Sequence, residues 1–547
     1  MMNEEIVQAK PFAVTLDAGT SLLNKTGSWR TERPVYVDRL PPCNQACPAG
    51  ENIQAWLAHA EQGDYEAAWR QIMDDNPMPA TMGRVCYHPC EGGCNRVQLD
   101  DAVGINSVER FLGDQALKYD WRMQPGADTG KKVMIVGAGP AGLATAYHLR
   151  RMGHSVTIFD ASAKAGGMIR YGIPKYRMPR EKLRAEIARI EDMGVEIRLN
   201  TRIDDVLKMR DEGGFDAVLL GIGAQLPNRI PLDVEGDLPV LEALTVLRDT
   251  EIENPTQLKG RVVVYGGGNT AMDVARSALR LGALETDVIV RSSREHMPAH
   301  PSEISEALEE GAHLTCLRSI VKVEGKTLTL EVRVATEGGK SIPTGQYETM
   351  QADVLVLATG QQVDIDSLAN IEGLSTEDGV VLINPAMQTG VEGIFAAGDM
   401  TPGNRTVTTA IGHGKKAARN IDAYLRGDTY AAAPKHEVAS FDKLNTWYYS
   451  DAPRTMRPVL DAVRRTSGFA EVVGDLTEEN ALFEARRCMS CGNCFECDNC
   501  YGVCPDNSVR KLGPGQGFEF KYDYCKGCSL CATECPCGAI KMVAEDI

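Results

Sequence analysis

Twice along this 547-residue chain a run of β-forming residues ends in a glycine loop that opens a helical pattern. The first is Val133–Val136 followed by Gly137-Ala138-Gly139-Pro140-Ala141-Gly142. The second is Arg261–Tyr265 followed by Gly266-Gly267-Gly268-Asn269-Thr270-Ala271. At this spacing one glycine permits a tight turn, one lets the backbone approach a pyrophosphate, and the third small residue packs helix on strand. The anion then meets free N–H groups at a helix N-terminus. Such loops require parallel α/β units, so most of the middle of the chain is expected to form two dinucleotide-binding folds.

The residues after each second strand separate the two sites. Ser155–Phe159 ends at Asp160, whose carboxylate suits the hydroxyls of an adenosine ribose. Thr286–Val290 ends instead at Arg291-Ser292-Ser293-Arg294, with no acid at the ribose position. Guanidinium groups there favour a 2′-phosphate, which a carboxylate would repel. NADPH is therefore expected on Gly266, Gly268, Asn269, Thr270, Arg291 and Arg294, with NADH possible. Two dinucleotide folds, the second inserted into the first, point to flavin and nicotinamide side by side.

Cysteine placement adds a second constraint. Of 17 cysteines, five lie between Cys43 and Cys94, eleven between Cys488 and Cys537, and Cys316 stands alone as a small buried hydrophobe. Tight x2 and x3 runs at both ends of a large nucleotide-binding core favour metal ligation over disulfides. The tail repeats one pattern, Cys494-x2-Cys497-x2-Cys500-x3-Cys504-Pro and Cys525-x2-Cys528-x2-Cys531-x3-Cys535-Pro. In this bacterial ferredoxin pattern the fourth cysteine of each run ligates the other cluster. One [4Fe–4S] cluster thus takes Cys494, Cys497, Cys500 and Cys535; the other takes Cys525, Cys528, Cys531 and Cys504. Cys488, Cys491 and Cys537 exceed this count, as unliganded thiols or through a register that draws on Cys491.

The formal charge of −17 argues against nucleic acid as a partner, because a phosphate-binding surface needs clustered Lys and Arg. No run of 18 apolar residues is present, so no membrane span is expected. The acidic start Met1-Met2-Asn3-Glu4-Glu5 lacks the apolar core of a signal peptide. A cytoplasmic protein is expected.

The expected fold class is α/β, with two Rossmann-like domains flanked by an N-terminal α-helical Fe–S domain and a C-terminal ferredoxin-like α+β domain. The reading divides the chain into an extended arm (1–35), a helical iron–sulfur domain (36–125), and the first part of an FAD domain (126–255). An inserted NAD(P)H domain (256–345), the second part of the FAD domain (346–430), an ordered connector (431–480) and the ferredoxin domain (481–547) follow. In the helical domain, Ile53, Trp56, Leu57 and Ala60, then Tyr65, Ala68, Trp69 and Ile72, recur at helical spacing, with Asp64 as an N-cap between them.

Gly166–Pro174, Ala358-Thr359-Gly360 and Gly393–Asp399 resemble the FAD-contacting segments of the small subunit of bacterial glutamate synthase. The same architecture occurs in dihydropyrimidine dehydrogenase and in NADPH-dependent bifurcating transhydrogenases, and the resemblance spans roughly 36–430. It implies FAD contacts at Gly137, Gly139, Pro140, Ala141, Gly142, Asp160, Gly167, Thr359, Gly360 and Gly398. It also implies that Asp399 contacts the ribityl chain and that a helix beginning near Thr408, with Thr409, points at the isoalloxazine. His413 on that helix is expected to be structural. Ser292 stands where relatives that use NADPH carry a second arginine. At the N-terminus the resemblance implies one centre on Cys47, Cys86, Cys90 and Glu109. Cys43 and Cys94 match a second centre, whose other two cysteines lie upstream of Cys43 in relatives and are missing here. Other oxygen or nitrogen ligands would have to complete it; one N-terminal centre with the tail's two gives about 12 iron atoms.

Nicotinamide gives up two electrons as hydride and an iron–sulfur cluster takes one, so flavin must stand between them. The expected activity is that of an FAD-dependent NAD(P)H oxidoreductase with iron–sulfur acceptors. The expected setting is an electron-transfer subunit of a larger complex, of the 2-oxoacid:acceptor oxidoreductase or sulfite reductase type. A stand-alone NADPH:ferredoxin oxidoreductase, a glutamate synthase small subunit and a non-enzymatic relay subunit are the alternatives. The partner is a ferredoxin or the catalytic subunits of that complex. The tail is expected to be the outlet, with the arm gripping a neighbour.

Overall fold

The computed structural model describes residues 24–252 and 255–545. Residues 1–23, most of the expected arm, lie outside the described residues.

Five parallel strands form the first sheet, in the order Ile394–Ala396, Ala217–Leu220, Lys132–Val136, Ser155–Phe159, Glu196–Arg198. All four residues of Ala217–Leu220 are buried, the mark of a strand covered on both faces. The second sheet is also parallel, in the order His313–Cys316, Ala283–Val290, Gly260–Tyr265, Val354–Leu357, Val240–Glu242. It lies within the chain segment between the first sheet's Ala217–Leu220 and Ile394–Ala396. Leu226–Pro227 and Gln361–Gln362 pair antiparallel where the chain leaves and returns.

The inserted unit is therefore larger than 256–345. Val240–Glu242 and Val354–Leu357 both belong to its sheet, and a four-stranded mixed sheet, in which Asp233–Glu235 runs parallel to Arg318–Glu324 and the last strand ends at Gln351, packs on it. Val354–Leu357 falls within 346–430, the range expected for the second part of the FAD domain, yet it joins the inserted sheet. A continuous apolar run buried on both faces carries no alternation to say which parallel sheet it joins. Cys316, expected to be buried, is half-buried at the edge of the inserted sheet.

Ahead of the first sheet stand the helices Ile53–Glu61, Tyr65–Met73, Pro79–Val85 and Ile105–Tyr119. Asp64 caps the second of these, its side chain accepting from the Ala67 N–H at 3.1 Å. Glu186 ties this unit to the flavin sheet's helices by accepting from the N–H groups of Ala80 and Thr81 at 2.7 and 2.8 Å. Lys415, on the long helix Val407–Leu425, pairs with Asp75 at 2.9 Å.

The cysteine-rich tail carries the hairpin Val509–Lys511/Phe518–Phe520 and the short helices Asn499–Val503 and Leu530–Thr533. Its last strand, Ile540–Ala544, pairs antiparallel with Glu32–Tyr36. The described end of the arm thus pairs with the chain's own tail, while the part of the arm expected to grip a neighbour falls largely on residues 1–23, outside the described residues. The segment 476–486 also folds back: Leu476, Ala481 and Ala485 are buried in one core with Trp56 and Leu57. Among the described residues no helix is long and apolar enough to cross a membrane.

Candidate functional site

Both glycine loops open onto one cleft of about 1540 Å³. On the flavin side it is lined by Gly137, Gly139, Pro140, Ala141, Asp160, Gly167, Thr359, Gly360, Gly398 and Asp399. On the nicotinamide side it is lined by Gly266, Gly268, Asn269, Thr270 and Arg291. Gly142, Thr409 and Arg294, expected as contacts, do not line it.

The reasons differ. A Cβ on Gly142 would lie 2.0 Å from the Gly137 carbonyl oxygen, so this glycine serves helix–strand packing. Thr409 is turned to its own helix end, where its N–H donates to Thr406 Oγ1 at 3.1 Å. Arg294 is exposed on a short helical turn beyond the cleft, and His296 from that turn lines the cleft in its place. By contrast, a Cβ on Gly139 would meet Gly167 Cα at 3.9 Å, and one on Gly268 would meet nothing within 4 Å. Gly139 and Gly268, where the fingerprint needs room for a pyrophosphate, are thus open, and Gly142, where it needs close packing, is closed. The cleft fits two dinucleotides.

Asp160 does more than face the cleft. Its Oδ2 accepts from the Ala138 N–H and its Oδ1 from the Ser162 N–H, each at 2.7 Å, so it also fixes the first loop. Asp399 is partly enclosed, and burial pushes its carboxyl up to about 6, opposed by Arg405. An acid whose folded pKa exceeds its unfolded value favours folding most when protonated. Relative to that state, enclosing Asp399 is free below its ordinary 3.8 and is fully unfavourable above about 6. Two pH units correspond to about 3 kcal/mol at most. In flavin-stripped protein, Asp399→Asn is therefore expected to raise Tm more at pH 7.5 than at pH 4. Equal gains in melts at the two pH values would refute this account.

The cleft has a third wall that the sequence did not announce. Val85 and Tyr87 of the helical unit line it, and the Tyr87 ring stacks on His300 at 4.7 Å. Between them, Cys86 receives a hydrogen bond from the Thr408 hydroxyl at 3.0 Å. Thr408 stands in the first turn of Val407–Leu425, the helix that follows Asp399. Arg177, Gln361 and Arg405 also line the cleft without having been singled out; no glycine or cysteine pattern marks them.

Cys86 belongs to a close group with Cys47, Cys90 and Glu109. Burial, and then the neighbouring carboxylates and thiols, push all three thiols up, Cys86 to about 12. Glu109 is buried, and its Oε1 accepts from Asn76 Nδ2 at 2.8 Å. The same amide donates to a second buried carboxylate, Glu51, at 3.0 Å. Thiols and an acid held together without a cationic partner form a donor set that a positively charged iron cluster suits. Cys43 and Cys94 stand apart from this group. They face Cys488 and Cys491 across one small cavity.

In the tail, Cys494, Cys497, Cys500 and Cys535 are neighbours, as are Cys504, Cys525, Cys528 and Cys531. The Tyr36 hydroxyl lies 3.3 Å from the Cys500 sulfur, and its ring stacks on Phe520 at 4.6 Å. The buried Cys537 lies 3.8 Å from the Cys535 sulfur. All 17 thiols are free of disulfides.

Residues 131–414 match the family of pyridine nucleotide-disulphide oxidoreductases, and residues 31–121 match dihydropyrimidine dehydrogenase domain II, 4Fe-4S cluster. The NADP(+)-dependent formate dehydrogenase subunit beta of Moorella thermoacetica is 35% identical, across 82% of this chain and 70% of its own. The NADPH-Fe(3+) oxidoreductase subunit beta of Geobacter sulfurreducens is 34% identical, across 83% of this chain and 76% of its own. The glutamate synthase [NADPH] small chain of Escherichia coli K12 is 33% identical, across 70% and 89%. With both glycine loops opening on one cleft and a cysteine group in its wall, the chain belongs to the pyridine nucleotide-disulphide oxidoreductases of the glutamate synthase small-subunit type, FAD-dependent NAD(P)H oxidoreductases with [4Fe–4S] clusters.

Proposed function

We propose that this chain is the electron-exchange subunit of a larger redox complex, linking NADPH to a protein partner that docks at the ferredoxin tail. The observation that carries the reading is the shared wall. Cys86 lies between two cleft-lining residues and accepts a hydrogen bond from the helix that follows Asp399. A flavin in the cleft would exchange hydride with nicotinamide and single electrons with clusters.

The chain's own residues divide the work. Gly137, Gly139 and the helix they open hold the flavin pyrophosphate, and Asp399 its ribityl chain. Gly268, Asn269 and Thr270 would hold the nicotinamide dinucleotide, with Arg291 and His296 in the same wall of the cleft. Cys47, Cys86, Cys90 and Glu109 hold the first cluster, and the two tail quartets hold two more. The relatives named as beta subunits of a formate dehydrogenase and of an Fe(3+) oxidoreductase support a subunit role. The partner is accordingly a catalytic subunit that releases or takes up electrons.

The purified chain with FAD and clusters is expected to reduce a viologen dye at the expense of NADPH. Flavin that fails to bleach with NADPH, or that bleaches with no dye reduction, would overturn the reading. Arg291→Ala removes the cleft's charged contact for a 2′-phosphate. The KM for NADPH is expected to rise about tenfold or more, the size of one charge-assisted hydrogen bond, while that for NADH changes little. Equal effects on both nucleotides would remove the phosphate role from Arg291.

A further inference from the structure

We propose that Cys43, Cys94, Cys488 and Cys491 together bind one further [4Fe–4S] cluster, which bolts the helical unit to the ferredoxin tail. The proposal rests on the reading above only for the type of group bound. All four cysteines line one small internal cavity, and none is exposed. Cys43 opens the short helix Pro42–Ala46 and Cys94 follows the turn Pro89–Gly92. Cys488 and Cys491 lie nearly 400 residues beyond Cys94 and more than 440 beyond Cys43, in the x2 spacing that gives two thiols to one centre.

The approach is built, not incidental. Ala481 and Ala485 bury the preceding helix in the same core as Trp56 and Leu57. Arg487, at that helix's end, donates to the Ala102 carbonyl at 2.9 Å, and its own carbonyl accepts from Arg96 at 2.8 Å. Ser490, between the two cysteines, takes a left-handed backbone conformation with φ 48°. Its buried hydroxyl accepts from Gln54 Nε2 of the helical unit at 3.1 Å. A non-glycine residue in that conformation is held by its surroundings.

The sulfurs are also dressed as ligands. The Ser490 N–H lies 3.4 Å from the Cys488 sulfur and Asn95 Nδ2 lies 3.5 Å from that of Cys491. Amide hydrogen bonds onto sulfur are among the devices that stabilise and tune cluster thiolates. Two rival uses are disfavoured. No disulfide joins the four, and among the described residues no three such side chains converge on a single metal ion as zinc would require. Loading the site exchanges four thiol protons for bonds to iron, with no change in the oxidation state of the cysteines.

The test compares the full-length chain with Cys488→Ala/Cys491→Ala and with Cys316→Ala, each reconstituted anaerobically with ferrous iron and sulfide. Iron, sulfide, zinc and FAD are counted per chain, and the dithionite-reduced proteins are examined by electron paramagnetic resonance. At four irons per centre, about 16 are expected in wild type and in Cys316→Ala, and about 12 in the double variant. One cluster signal should disappear and FAD should remain. Wild type holding 12, a double variant unchanged in iron, or one zinc per wild-type chain overturns the proposal. Should the double variant misfold, alkylation of wild type decides. Cys43, Cys94, Cys488 and Cys491 are expected to be protected together in the loaded protein and released together by chelation; equal labelling before and after chelation overturns it. A chain with 16 irons and no viologen reduction would sink the reading of function and leave this site standing.

Discussion

Gly142→Ala is expected to yield little folded protein, whereas Gly139→Ala and Gly268→Ala should fold and each lose a different nucleotide. The Gly142 Cβ would be driven to 2.0 Å from a backbone oxygen that belongs to the first loop itself. Neither the helix nor the buried strand Lys132–Val136 can retreat without opening the core around Val133 and Ile135. Overpacking of this kind costs about 3 kcal/mol or more, a large part of a domain's net stability. At Gly139 the added methyl meets only Gly167 Cα, at 3.9 Å, and at Gly268 it meets nothing within 4 Å. Each methyl therefore projects into open space, the space proposed for a pyrophosphate. Gly139→Ala should melt near the wild-type temperature but purify without flavin. Gly268→Ala should keep its flavin yellow and lose reduction by NADPH. Measured flavin per chain, Tm and NADPH bleaching separate the three. A stable, flavin-loaded Gly142→Ala would show that the close approach is not needed.

Removing residues 493–547 is expected to abolish reduction of the protein partner while NADPH still bleaches the flavin. The two tail quartets would go with the cut, leaving about 8 irons on the helical unit and its junction. The cut cannot be made at Thr477, inside the expected connector 431–480. Leu476, Ala481 and Ala485 are buried against Trp56 and Leu57, so that cut would open the helical core. Even the later cut deprives Glu32–Tyr36 of its partner strand, and an unpaired edge invites association. Cys525→Ala/Cys528→Ala in the full chain therefore accompanies it, with the same loss of partner reduction expected. Full-rate partner reduction by either variant would place the exit at the N-terminal end.

Local patterns are legible in the sequence because local geometry produces them. Val133–Val136 lies within the strand Lys132–Val136, and Ser155–Phe159 forms a strand with the same limits. The helices Ile53–Glu61 and Tyr65–Met73 and the Asp64 cap between them follow from periodicity and a single side-chain oxygen. Each of these depends on residues a few positions apart. Arg291 and Arg294 show the limit: both follow the same strand, yet only Arg291 lines the cleft, because the intervening turn carries Arg294 outward.

By itself the sequence determined two glycine loops, their flanking strands and helices, and two cysteine runs whose spacings bring thiols to one centre. These are short-range consequences of backbone geometry and residue size. Only the tertiary structure decided that both loops share one cleft and that Val354–Leu357 joins the inserted sheet. It alone closed Glu32–Tyr36 onto Ile540–Ala544 and delivered Cys488 and Cys491 to Cys43 and Cys94. The physical reason is the same in each case. A buried strand or a cysteine pair carries no mark of its distant partner; the burial of faces such as Ala481 and Ala485 against Trp56 and Leu57 selects it.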